Sequence, residues 1–118
     1  ALIASLIVVP LLPTAIQAAT PSAKVQFVSP DWVAQNAKNP NLRVLDVRTA
    51  PLEYIAGHVP KAVNIADSAF RGPNGILPVQ YWSNAKLGEI FSTSGISNNS
   101  KVLVYSSGND VLGATMVA

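Results

Sequence analysis

Cysteine is absent from this chain, histidine occurs once, and charge is sparse, with eight Lys and Arg against six Asp and Glu in 118 residues. The missing thiol excludes disulfides, thiolate zinc sites and thiol catalysis within these residues. His58 alone leaves no material for a histidine metal cluster, and no cofactor is expected. No basic run and no interleaved aromatic stripe is present, which excludes the usual footprint of nucleic-acid binding. The lack of disulfides says nothing about compartment. At this length the chain amounts to about one domain with a modest core.

Charge is also missing from the whole of the first stretch, "ALIASLIVVPLLPTAIQAAT". Pro10 and Pro13 interrupt it, and its length is near the short limit for a span, so no stable membrane span is expected. An apolar run closing on the small residues of "IQAAT" resembles the h- and c-regions of a secretory signal peptide, with Ile16 an imperfect residue for a cut after Ala18. The competing reading is a buried apolar segment of a cytosolic protein. Residues 1–19 are read as the signal-peptide-like segment, 20–26 as a linker and 27–118 as the folded domain of an exported, periplasmic protein.

Strand and helix signals alternate along the rest of the chain. "VQFVS" is a short strand candidate. Ser29 as N-cap, Pro30 at the first helical position and Asp31 in the first turn predict a helix ending near Asn39-Pro40. "LRVLDVR" is a strand apolar on both faces, as in a parallel sheet covered by helices. A helical turn over Leu52–Ala56 stops at Gly57, and Ala62–Ile65 forms the next strand. "ADSAFRGPNGILP" reads as a polar Gly- and Pro-containing segment. Val79–Ser92 has helical spacing, with Trp82, Leu87, Ile90 and Phe91 on one face. Val102–Tyr105 is a buried strand, Ser106–Asp110 a turn cluster, and a helix starts at Val111. The alternation predicts one α/β domain with an open parallel sheet.

"LRVLDVRTAPLEYIAGHVPKAVNI" resembles the first hallmark of the rhodanese sulfurtransferase family. Asp46, Arg48, Glu53, Tyr54, Gly57, His58, Pro60, Ala62 and Asn64 match its pattern, and Lys61 departs where the family usually has Gly. The resemblance covers Phe27 to Ala118. It implies a rhodanese-like open parallel sheet with helices on both faces, here expected to stop before the last strand. It also implies two-step chemistry. A donor such as thiosulfate gives sulfane sulfur to a cysteine at the end of a strand, and cyanide or a thiol removes it. Backbone N–H groups of the loop and the next helix form an anion cradle for that cysteine. Here the nucleophile position falls on Ser106, and the cradle is Ser106, Ser107, Gly108, Asn109, Asp110 and Val111. A serine cannot form the S–S bond.

The loop "VLVYSSGNDVLGATMVA" is similar to that of the inactive amino-terminal domain of tandem rhodaneses, though Ser106 and Thr115 depart from the Asp and Arg found there. The implied partner is a downstream cysteine-containing rhodanese domain of the same chain, with a small sulfur anion as the ligand class. The alternative is a noncatalytic module whose cradle binds an anion or a protein. Asp46 and Arg48 read better as an internal charge pair than as a catalytic pair. His58 reads as a turn histidine bonded to backbone. Trp32 and Trp82 read as core. Ser106, His58 and Asp46 offer the residue types of a hydrolytic triad, but no G-x-S-x-G elbow accompanies them.

Overall fold

The computed structural model describes residues 24–118. The signal-peptide-like segment 1–19 and the start of the linker lie outside the described residues. Ser29 begins the first element as the sequence suggests: its side chain accepts from the Trp32 N–H at 3.2 Å and opens α1 (Pro30–Asn36). β1 (Leu42–Asp46) comes next, then α2 (Pro51–Ala56) and β2 (Ala62–Asn64). A 3-10 turn at Asp67–Phe70 leads into a hairpin, β3 (Arg71–Asn74) and β4 (Leu77–Tyr81). α3 (Asn84–Thr93), β5 (Lys101–Tyr105) and α4 (Val111–Val117) complete the order.

β1 is central in a parallel three-stranded sheet of order β2-β1-β5. Its two faces build two cores. Leu42, Val44 and Ala62 form one, covered by Trp32 of α1 and Tyr54 of α2; Leu45, Val47 and Phe70 form the other, covered by Leu87, Ile90 and Phe91 of α3 and Ala114 and Val117 of α4. Alternation along one strand thus feeds two helical layers, the arrangement expected of a doubly covered parallel sheet.

Three expectations need correction. "VQFVS" forms no strand: the segment has no ladder partner among the described residues. It walls an apolar groove of about 1260 Å³ along β5 instead. The helix expected over Val79–Ser92 begins only at Asn84, because Ser83 caps it and Leu77–Tyr81 is strand. Asn74-Gly75 supplies the turn, with Gly75 at φ +60°, so "RGPNGILPVQY" folds back on itself rather than staying a loop. Trp82 therefore precedes the helix. Its ring lies over Gly72, leaving no room there for a side chain, and its indole N–H donates to Ala69 O at 2.9 Å.

Candidate functional site

Because β1, β2 and β5 run parallel, their carboxyl ends share one edge, where ligands of open α/β sheets sit. Asp46 lies in register with Asn64 on one side and Tyr105 on the other. Its side chain is fully buried. A buried carboxylate requires partners, and this one has several. The Arg48 guanidinium grips it, Nε reaching Oδ1 at 2.9 Å, while the Arg48 backbone N–H donates to Oδ1 at 3.1 Å and the Tyr105 hydroxyl to Oδ2 at 2.8 Å. Burial pushes the Asp46 carboxyl up, but the Arg48 and Tyr105 hydrogen bonds outweigh it and hold the group below the ordinary carboxylate range. Arg48 is held above its ordinary value, chiefly by the Asp46 carboxylate. Burial raises Tyr105, with the adjacent carboxylate adding to it.

The same groups tie the loops. Arg48 Nη2 donates to Gly57 O at 2.8 Å, and the Val59 N–H donates to the Tyr105 hydroxyl at 3.1 Å. Asn64 Nδ2 spans Asp46 O and Arg48 O at 3.0 and 3.1 Å. His58 stacks on Tyr54 with ring centroids 3.9 Å apart, and its Nδ1 donates to Tyr54 O at 2.8 Å. Lys61 adopts φ +66°, a left-handed conformation that suits glycine.

Beside this network lies the strand–loop–helix junction. Ser106 Oγ donates to Asp110 Oδ2 at 2.8 Å, and the Gly113 N–H donates to Asp110 Oδ1 at 3.0 Å. Asp110 is the N-cap of α4, and its own N–H donates to Ser107 O at 2.9 Å. The chain's own carboxylate thus occupies a donor that a cradle would turn toward an anion. Ser107, Gly108 and Asn109 are exposed, as is Val111, and Gly113 is buried under the Asp110 carboxylate, which leaves no space for a Cβ.

The residues of the hypothetical triad are committed elsewhere: Ser106 to Asp110, His58 to Tyr54 O, Asp46 to Arg48 and Tyr105. Among the described residues no group of His, Asp and Glu is placed to hold a metal ion, and no helix is long and apolar enough to cross a membrane. Sequence reasoning missed Tyr105 as a partner of Asp46. The available signal was register, since a polar-tipped residue closing the neighbouring parallel strand lies beside the strand-end Asp.

Comparison with known proteins agrees with this geometry. Residues 29–117 match the model of the rhodanese-like domain. The chain is 62% identical over 100 residues to a Synechococcus elongatus protein named "Putative thiosulfate sulfurtransferase", covering 85% of this chain and 31% of that protein. It is 32% identical over 85 residues to "Sulfur carrier protein TtuD" of Thermus thermophilus, covering 71% and 29%. To "3-mercaptopyruvate sulfurtransferase" of Escherichia coli it is 26% identical over 92 residues, covering 70% and 33%. The chain spans about a third of the length of these relatives. The strand-end Asp46–Arg48 pair, the loop opening at Ser106 and these matches together place the chain in the rhodanese-like domain family.

Proposed function

We propose that this chain is the noncatalytic rhodanese-like domain of an exported, periplasmic sulfurtransferase, whose cysteine lies in a further domain of the same protein. The parent reaction is sulfane-sulfur transfer: a cysteine thiolate takes the outer sulfur of thiosulfate, releasing sulfite, and the persulfide passes it to cyanide or a thiol, restoring the thiolate. The domain's own task is architectural, packing against the cysteine-bearing domain and shaping its cleft.

One observation carries this reading. Ser106 follows β5 directly, at the position to which the family resemblance assigns the nucleophile, and its hydroxyl is already spent on Asp110. An oxygen there cannot hold sulfane sulfur as a persulfide, and the neighbouring carboxylate repels the anions that a working cradle collects. The same carboxylate disfavours the alternative of a free anion-binding module. The names of the sulfurtransferase relatives support the parent activity.

The test is a thiosulfate:cyanide sulfurtransferase assay on the full-length native protein beside the 118-residue chain. Thiocyanate formation by the full-length protein alone is the expected result. Turnover by the 118-residue chain, or by neither, overturns the proposal.

A further inference from the structure

The hairpin and α4 meet at one surface. The Tyr81 hydroxyl donates to Met116 O at 3.0 Å, and Arg71 leans on the Met116 sulfur at 3.5 Å. Leu112 lies one helical turn before Met116, and Val79 lies two residues before Tyr81 on the same side of β4. All four apolar side chains are open to solvent: Leu112 is 73% exposed, Val79 54%, Tyr81 50% and Met116 41%. Charge is scarce here. No residue from Gly72 to Tyr81 or from Val111 to Ala118 is charged, and Arg71 is already paired with Asp67 at 2.7 Å. Apolar, aromatic and charge-poor composition marks the core of an interface rather than a solvated face. The polar Ser106–Asp110 loop runs directly into the first turn of α4, so whatever covers Leu112 also borders that loop.

We infer that Val79, Tyr81, Leu112 and Met116 form the surface on which the cysteine-bearing domain of the same protein docks. The inference rests on the proposed tandem arrangement and adds the place of contact. Two facts choose this occupant. The matched relatives are about three times the length matched here, leaving ample chain for a further domain. The face also adjoins the loop edge of the sheet, so a domain seated on it brings its own loops toward Ser106.

Met116 is the only methionine in the 118 residues and provides the probe. Peroxide oxidation of the full-length protein, followed by peptide mass spectrometry, reads its coverage apart from activity. A covered Met116 should oxidise about tenfold more slowly than an exposed methionine, because it reacts only when the interface opens. Leu112→Glu should abolish that protection and lower thiocyanate formation, whereas Leu52→Glu, at an exposed position on α2, should change neither. Rapid oxidation of Met116 in an active full-length protein overturns the docking surface and leaves the sulfur-transfer reading standing. Protection that disappears on dilution as a dimer dissociates overturns it in favour of a second copy. An inactive full-length protein sinks the sulfur-transfer reading without altering the oxidation readout, so the two failures separate.

Discussion

Lys61 holds a backbone conformation that its side chain does not favour. At φ +66° its Cβ crowds the following carbonyl, a strain of about 1–2 kcal/mol in an L-residue that glycine avoids. Glycine in turn loses more chain entropy on folding, about 0.5–1 kcal/mol. The difference favours glycine, so Lys61→Gly should raise stability by about 0.5–1 kcal/mol, read as a higher urea midpoint at unchanged slope. A lower midpoint would show that the exposed lysine makes a compensating contact. Ser106 raises the opposite issue, one of chemistry rather than strain. In Ser106→Cys the new thiol would face the Asp110 carboxylate, and a like charge at that range raises its pKa above the ordinary value of about 8.5. Thiosulfate should leave no persulfide on it. Adding Asp110→Ser, which keeps a capping oxygen, should lower the thiol pKa in an iodoacetamide rate profile. Persulfide on the single variant, or no pKa change in the double, refutes the assignment of Asp110 as the blocking charge.

Elements show where sequence signals were sufficient and where they competed. Ser29-Pro30-Asp31 marked its helix start, because cap, ring and first-turn acid all favour the same conformation. "LRVLDVR" gave β1 and both cores, since its two faces are equally apolar. Over Val79–Ser92 helical spacing and strand alternation coexist, and the outcome turns on Asn74-Gly75, whose hairpin signal precedes the window. The Asp46–Arg48 pair was visible in sequence because the residues are two apart; Tyr105, 59 residues from Asp46, was not, because only strand order brings it there. That order makes the network a clasp across β1, β2 and β5. Asp46→Asn should cost about 2 kcal/mol at neutral pH, since the amide replaces poorly the charge-assisted hydrogen bonds that the buried carboxylate accepts from Arg48 and Tyr105. The folded-state pKa of Asp46 is lowered, so its contribution is complete above the ordinary value near 3.9 and disappears as pH falls through the lowered one. Urea titrations should therefore show the gap between native and variant holding from neutral pH down to about pH 4 and narrowing below it; a gap independent of pH would remove the charge from the explanation. In the hairpin, Gly72→Val should expel the Trp82 ring from its seat, shifting tryptophan emission to the red.

At the scale of the whole molecule, β5 has one side paired with β1 and, among the described residues, one side open. Lys101 N–H donates to Asn41 O and Tyr105 O accepts from Val47 N–H, so the odd residues of β5 turn their backbone groups toward β1. Val102 and Val104 turn theirs the other way, where no described residue pairs with them. The apolar groove against Val25–Val28 runs along that same edge, and Val102 is 42% exposed. An unpaired edge built on the β-branched Val102 and Val104, with charge only at its first residue, Lys101, is a template for another strand. The 118-residue chain by itself should consequently self-associate through β5, and sedimentation velocity should show its apparent mass rising with concentration. Val102→Lys places a charge on the edge without entering either core, and should shift that rise to about tenfold higher concentration. Leu112→Glu should not, because it lies on the hairpin–α4 face. If the two variants behaved alike, association would run through general stickiness rather than strand pairing, and the open edge would lose its significance.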